Sequence, residues 1–227
     1  MSQVKIESPR MKRAHLNFLH LPGEIRNEIY TQLLVLPRES NILPFYDCNL
    51  YDIYPEILSV CRKTHTEALP ILYGLNTFIA NTTPTSCFPR LTPFHAPVQS
   101  SAMVALIRRY YVRIRLDYQP SFSFERARDA FTGMEELTVD VFRMNFDRWS
   151  PGVLTRFEGV RGVKNVRIVG STYGFPRYVE WLEGCIASAE GVDVEGFEGE
   201  EQTVVENVRR CDGRTVGREL GMNIAEV

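Results

Sequence analysis

Four short runs rich in β-branched and aromatic residues recur along the second half of the chain, and their spacing constrains the fold more than any other feature. They are YYVRIRLDY at 110–118, EELTVDVF at 135–142, KNVRIVGS at 164–171 and VDVEGF at 192–197. Aligned on Val112, Leu137, Val166 and Val192 they step by 25, 29 and 26 residues, and glycine turns at Gly133, Gly162 and Gly191 introduce three of them. Steps of that length leave room for a helix between strands, which is what a pair of parallel strands requires. Amphipathic segments fill the gaps. Tyr178, Trp181, Leu182, Cys185, Ile186 and Ala189 fall along one helical face. Ser150-Pro151 is a helix start before Leu154 and Phe157, and Ser123 is placed to cap a helix carrying Ala127 and Phe131. The pattern predicts an α/β region over 102–197 in which βα repeats with a solenoid-like period form a mainly parallel sheet.

On this alignment Ile114, Val139, Ile168 and Val194 join the first set in the core, and the alternating residues point outward. The outward rows are Arg113, Thr138, Arg167, Asp193 and Arg115, Asp140, Val169, Glu195, basic at one end and acidic at the other. On a repeat sheet such a face is where a protein target is read. Cross-strand charge pairing without a ligand accounts for the same rows.

The first part of the chain has helical periodicity. In FLHLPGEIRNEIYTQLLVL, residues 18–36, Leu21-Pro22 sets a rigid entry, Glu24 sits near the positive helix end, and Ile25, Ile29, Leu33 and Leu36 recur at helical steps with Leu34 beside them. Arg26, Asn27 and Gln32 are expected on the polar side. In PEILSVCRKTHTEALPILYGLNTF, residues 55–78, Ile57, Cys61, Ala68 and Leu72 form a second stripe, widened by Leu58, His65 and Leu69. Pro70 predicts a kink or a fresh start, and Gly74 a stop. Two helices with matching stripes are expected to pack together.

Leu21-Pro22-x-Glu24-Ile25-Arg26-x-x-Ile29-Tyr30, together with Ile57-Leu58-x-Val60-Cys61-Arg62-x-x-His65-x-Glu67-Ala68-Leu69-Pro70-x-Leu72-Tyr73 and Asn76-Thr77-Phe78, resembles the F-box-like module found near the start of many fungal proteins. The resemblance covers about residues 16–80. It implies a helical module that docks on a Skp-type adaptor of a cullin ubiquitin ligase, here through Leu21, Pro22, Ile25, Ile29, Leu33 and Leu34, while the rest of the chain binds a protein target. The link at 37–54 is longer than the usual one between F-box helices. The strand wording of 110–197 is similar to irregular leucine-rich repeats, without their asparagine and most of their leucines. The expected order is a flexible lead at 1–15, the helical module at 16–80, a proline-rich loop at 81–101, the βα region at 102–197 and a charged tail or cap at 198–227. The apolar residues of the first helix are either exposed for the adaptor or buried against the βα region.

Composition narrows the function classes. A net charge of −2 gives no global attraction to nucleic acid or an anionic membrane, and no apolar run reaches the length of a membrane span, so a cytoplasmic or nuclear protein is expected. The five cysteines are widely spaced and contain no CxxC pair, which argues against a disulfide framework or a zinc site. No GxSxG, GxGxxG, HExxH or phosphate-loop motif occurs, so neither catalytic residues nor a cofactor or metal site is assigned. His65 and Cys61 read as core residues. Prolines 84, 89, 93 and 97 forbid regular structure over 81–101, which becomes a linker or a loop draped on Leu91, Phe88 and Phe94. Two other readings stay open: a scaffold or effector unconnected to ubiquitin, and a small-molecule binder or enzyme with a pocket at the strand ends near Asp117, Phe142, Ser171 and Phe197.

Overall fold

The computed structural model describes residues 17–37, 53–81, 89–118, 122–144 and 150–199. Two helices lead into a four-stranded, all-parallel sheet with further helical segments between and after the strands, an α/β arrangement. The chain lead, most of the 37–54 link, Pro84, Phe88 and the tail beyond residue 199 lie outside the described residues.

The first helix, α1 (Gly23–Leu34), begins behind Pro22, whose ring presets the entry, and carries Glu24 in its first turn. Its inward face is not the expected one. Arg26, Tyr30 and Leu34, at steps of four, are its buried residues, whereas Ile25 is 49% exposed. The helix is thus rotated from the purely apolar stripe, because Arg26 carries its charge inward to Glu67 on the next helix.

That helix, α2 (Arg62–Leu75), is preceded by a separate 3-10 turn at Pro55–Ser59, with Cys61 as its N-cap residue. It runs through Pro70 without ending there. Pro70 is exposed. Thr64, Ala68 and Leu72 face inward, and His65 is exposed, one helical position off that stripe, which corrects the core reading. At its end the fully buried Asn76 joins three backbone groups. Its Oδ1 accepts from the Leu36 N–H at 2.8 Å, and its Nδ2 donates to the Leu34 and Leu72 carbonyls, each at 2.8 Å. Both helix C-termini are thereby fixed at the point where the chain enters the sheet.

The sheet order is β1 (Thr77–Asn81), β2 (Arg109–Arg115), β3 (Glu136–Phe142), β4 (Asn165–Gly170), each parallel to the next. A short helix α3 (Ser101–Val104) lies between β1 and β2, α4 (Phe124–Phe131) between β2 and β3, and a 3-10 segment at Pro151–Phe157 between β3 and β4; α5 (Pro176–Ala187) follows β4. Ser123 caps α4 by accepting from the Arg126 N–H, and Ser150 accepts from the Gly152 N–H ahead of the 3-10 segment. Gly133, Gly162 and Gly191, equally spaced in sequence, all have positive φ. Successive turns bond across the repeat: the Gly133 N–H donates to Arg161 O at 2.9 Å and the Gly162 N–H to Ser188 O at 2.7 Å.

One buried cluster holds these parts together. Tyr110, Val112, Ile114, Leu137, Val139, Val141 and Ile168 meet Ala127, Phe131, Leu154, Phe157, Tyr178, Leu182 and Ile186, and Tyr30, Leu34, Ala68, Leu72 and Phe78 belong to the same cluster. Tyr73 stacks on Phe78 with centroids 5.5 Å apart, tying α2 to β1. At the outer edge of β1, Ile79 and Arg90 exchange backbone hydrogen bonds of 2.7 and 3.0 Å, so part of the proline-rich stretch shields that edge. Leu91 is buried there, whereas Phe94 is exposed.

Two expectations are corrected by the sheet. Val112 pairs with Val139 rather than Leu137, and Leu137 faces Tyr110. A slip of two residues keeps every side chain on its face but changes its neighbours, so Arg113 lies beside Asp140 instead of Thr138. The run at 192–197 is not a strand. Glu195 O accepts from the Trp181 indole at 3.1 Å and Phe197 packs on Tyr178 and Trp181, so α5 holds this segment. On β4 the Ile168 N–H, which a fifth strand would use, donates instead to Glu183 Oε1 at 2.6 Å.

Candidate interaction surfaces

The outer edge of α1 follows from the inward turn of Arg26. Its Nε and Nη2 donate to Glu67 Oε2 and Oε1 at 2.9 and 2.6 Å, Nη1 donates to the Leu21 carbonyl, and the Tyr30 hydroxyl donates to Glu67 Oε2 at 3.1 Å. The Arg26 hydrogen bonds hold the Glu67 carboxyl below its ordinary pKa, against the opposing effect of desolvation. The Tyr30 phenol moves up, through burial first and then through its bond to Glu67. With Arg26 7% exposed, the apolar residues on its other flank are displaced outward. Pro22 and Ile25 are exposed, and Leu21, Ile29 and Leu33 are half-buried. Leu34 is fully buried and packs in the core, which removes it from the expected docking set.

The second surface is the sheet face turned away from the core cluster. Asp140 is its hub: Tyr111 donates its hydroxyl to Oδ2 at 2.7 Å and Arg113 donates Nε to the same oxygen at 2.9 Å. The Arg113 guanidinium also lies 4.6 Å from the Phe142 ring centroid. Burial, and secondarily the Asp140 carboxylate, raise the Tyr111 pKa. Toward the strand ends Arg115 grips Asp117 through two bonds of 3.2 and 2.6 Å and lies 5.7 Å from the Tyr118 centroid. The Arg115 hydrogen bonds, assisted by backbone N–H groups, hold the Asp117 carboxyl down at about 2. Arg143 sits 4.7 Å over Tyr173. Thr138 is half-buried, and Arg167 and Val169 are exposed on the same face.

Of the residues expected here, Arg113, Arg115, Thr138, Asp140 and Arg167 share this face. Asp193 and Glu195 do not, because their segment leaves the sheet for α5. The basic-to-acidic gradient along the rows therefore does not form. Sequence reading did not place Tyr111, Arg143 or Tyr173 on this face and named Phe142 only for a pocket at the strand ends; the alternation of β2 puts Tyr111 on the face, but its role follows only from the register.

At the strand ends the Gly170–Gly174 stretch is a tight turn. The Ser171 N–H donates to Val141 O at 2.7 Å and the Phe175 N–H to Thr172 O at 3.0 Å. An open cleft of about 600 Å³ lies at the opposite end, along the glycine turns, lined by Arg128, Asp129, Thr132, Gly159, Arg161 and Glu190. No group of three or more His, Cys, Asp or Glu able to hold a metal ion occurs among the described residues, and no helix among them is long and apolar enough to cross a membrane. Cys61 is half-buried rather than core, and the Thr64 backbone N–H lowers its pKa; burial raises that of Cys185.

No protein-family model, curated protein or solved structure matches this chain.

Proposed function

We propose that this protein is an interaction subunit of the F-box-like kind, which holds a Skp-type adaptor of a cullin ubiquitin ligase through the outer edge of α1 and offers the outer sheet face to a protein target. The observation that carries this reading is the inversion on α1: Arg26 is buried and neighbouring Ile25 is 49% exposed. Pro22 and Ile25, flanked by half-buried Leu21 and Ile29, leave an apolar strip on a helix whose core contacts are already made by Tyr30 and Leu34. A strip of that kind gains free energy when a partner covers it.

The test is co-purification of the full chain with a Skp-type adaptor, comparing wild type with Ile25→Asp. Because Ile25 lies off the core, the variant is expected to unfold at the wild-type temperature and to lose the adaptor. Leu34→Asp, a core substitution, shows what a merely unfolded chain does. Failure of wild type to bind, or retention of the adaptor by a folded Ile25→Asp variant, overturns the adaptor assignment and leaves a scaffold with no ubiquitin connection.

A further inference from the structure

We infer that the outer sheet face takes an acidic segment of a protein partner, anchored by apolar or aromatic side chains. This rests on the reading of that face as the target-binding surface and specifies its ligand chemistry. The charges there are layered. The Asp117 side chain is 4% exposed beneath Arg115 at 35%, and Asp140 is 16% exposed beside Arg113 at 26%. Both carboxylates are engaged from within the face, and the third, half-buried Glu136, lies at the opposite end of β3 beside Arg109 and Asn165, so toward the C-terminal ends of the strands the groups nearest solvent are guanidinium.

Arg167 adds a further guanidinium. It is exposed, and no hydrogen bond or ion pair of its side chain occurs among the described residues. An approaching carboxylate gains a partner there at little desolvation cost, whereas an approaching cation meets guanidinium groups first. The rim supplies the apolar part. Tyr118, Met144 and Tyr173, one after each of β2, β3 and β4, are exposed, as is Val169 on the face itself. Arg115 and Arg143 lie against the two tyrosine rings. Tyrosine, methionine and arginine are the residue types enriched where proteins bind proteins. Nucleic acid fits less well, because phosphate binding depends on several cations released to the backbone, and Arg113 and Arg115 are committed to carboxylates.

The experiment titrates the isotope-labelled full chain with a random glutamate–tyrosine copolymer, a lysine–tyrosine copolymer and single-stranded oligothymidylate, following backbone amide shifts and fluorescence anisotropy. The glutamate–tyrosine polymer is expected to bind saturably, with shifts concentrated at Thr138, Arg167, Val169 and Tyr173, and the other two are not. Arg167→Glu should weaken binding by roughly tenfold or more at an unchanged unfolding temperature, and Tyr173→Ser should weaken it independently. Absence of saturable binding, binding indifferent to Arg167→Glu, or competitive binding by oligothymidylate overturns the proposal. Ile25→Asp serves as the separating control. Loss of the adaptor with the copolymer still bound removes only the adaptor reading, and the reverse result removes only this one.

Discussion

Arg26 on α1 and Glu67 on α2 meet through two parallel hydrogen bonds of 2.9 and 2.6 Å, 41 residues apart in the chain. The pair fixes the rotation of α1, and with it the exposure of Ile25. Removing either partner leaves the other charge uncompensated at the helix interface, which costs more than removing both. Arg26→Met and Glu67→Gln are each expected to lower the unfolding temperature, and the double variant to recover part of the loss in a double-mutant cycle. Additive losses would show that the two side chains do not act as a unit.

The same contact sets an acid limit on stability. A carboxyl whose pKa is lower in the folded than in the unfolded chain gives stability that is complete above the unfolded value and disappears as pH falls through the folded one. Glu67 is lowered by Arg26, and Asp117 is held at about 2 by Arg115. Unfolding free energy should therefore decline from about pH 4, the ordinary carboxylate range, down toward pH 2. Asp117→Asn and Glu67→Gln should each flatten that decline, with the Asp117 contribution extending down to about pH 2, measured by urea unfolding at a series of pH values.

Gly170 and Gly184 are expected to respond oppositely to alanine. Gly170 ends β4 at φ +95°, and a Cβ there would stand 2.2 Å from Val141 O, a backbone atom that cannot swing away. Gly170→Ala should cost about 2 kcal/mol or more, from left-handed backbone strain together with the clash. Gly184 lies inside α5 with nothing within 4 Å of a new methyl group. Gly184→Ala should stabilise by about 0.5–1 kcal/mol through helix propensity. Chemical denaturation of both variants checks the contrast in sign.

Those glycines mark how far the fold could be read from sequence. The inward set Val112, Val139 and Ile168, the glycine turns and the serine caps were legible because each is a local signal with its own backbone cause. Arg26 was not, since its burial depends on Glu67, which sequence distance hides. The strand at Thr77–Asn81 escaped the repeat alignment because a long proline-bearing crossover separates it from β2. The run at 192–197 has strand wording, yet Trp181 and Tyr178 capture it from the side, an outcome that alternation alone does not encode. The outer face was legible as a face. Its network was not, because the two-residue slip that brings Arg113 and Tyr111 to Asp140 leaves the hydrophobic pattern unchanged.

The two described cysteines should separate by reactivity. Cys61 is half-buried at the N-cap of α2, where the Thr64 backbone N–H favours the thiolate, and Cys185 is buried and shifted toward the thiol. Iodoacetamide followed by peptide mapping should modify Cys61 in the native protein, with a pH midpoint below the ordinary thiol value of about 8.5. Cys185 should be modified only after unfolding. Equal native rates at the two positions would contradict the environments assigned to them.

Asn76 carries the last prediction. A buried asparagine is retained only where its amide is satisfied, and here it accepts from the Leu36 N–H and donates to the Leu34 and Leu72 carbonyls. These bonds join the ends of α1 and α2 immediately before β1, so they couple the helical pair to the sheet. Asn76→Ala leaves one buried donor and two carbonyls short of a partner, at about 1–3 kcal/mol for each unsatisfied group. A total loss of about 3 kcal/mol or more is expected in urea unfolding. Asn76→Asp should fare no better: its oxygens can still accept from Leu36, but they face the Leu34 and Leu72 carbonyls and place a charge in a buried site. A cost below about 1 kcal/mol for the alanine variant would mean that water enters and replaces the amide, and that this junction is looser than its three 2.8 Å bonds indicate.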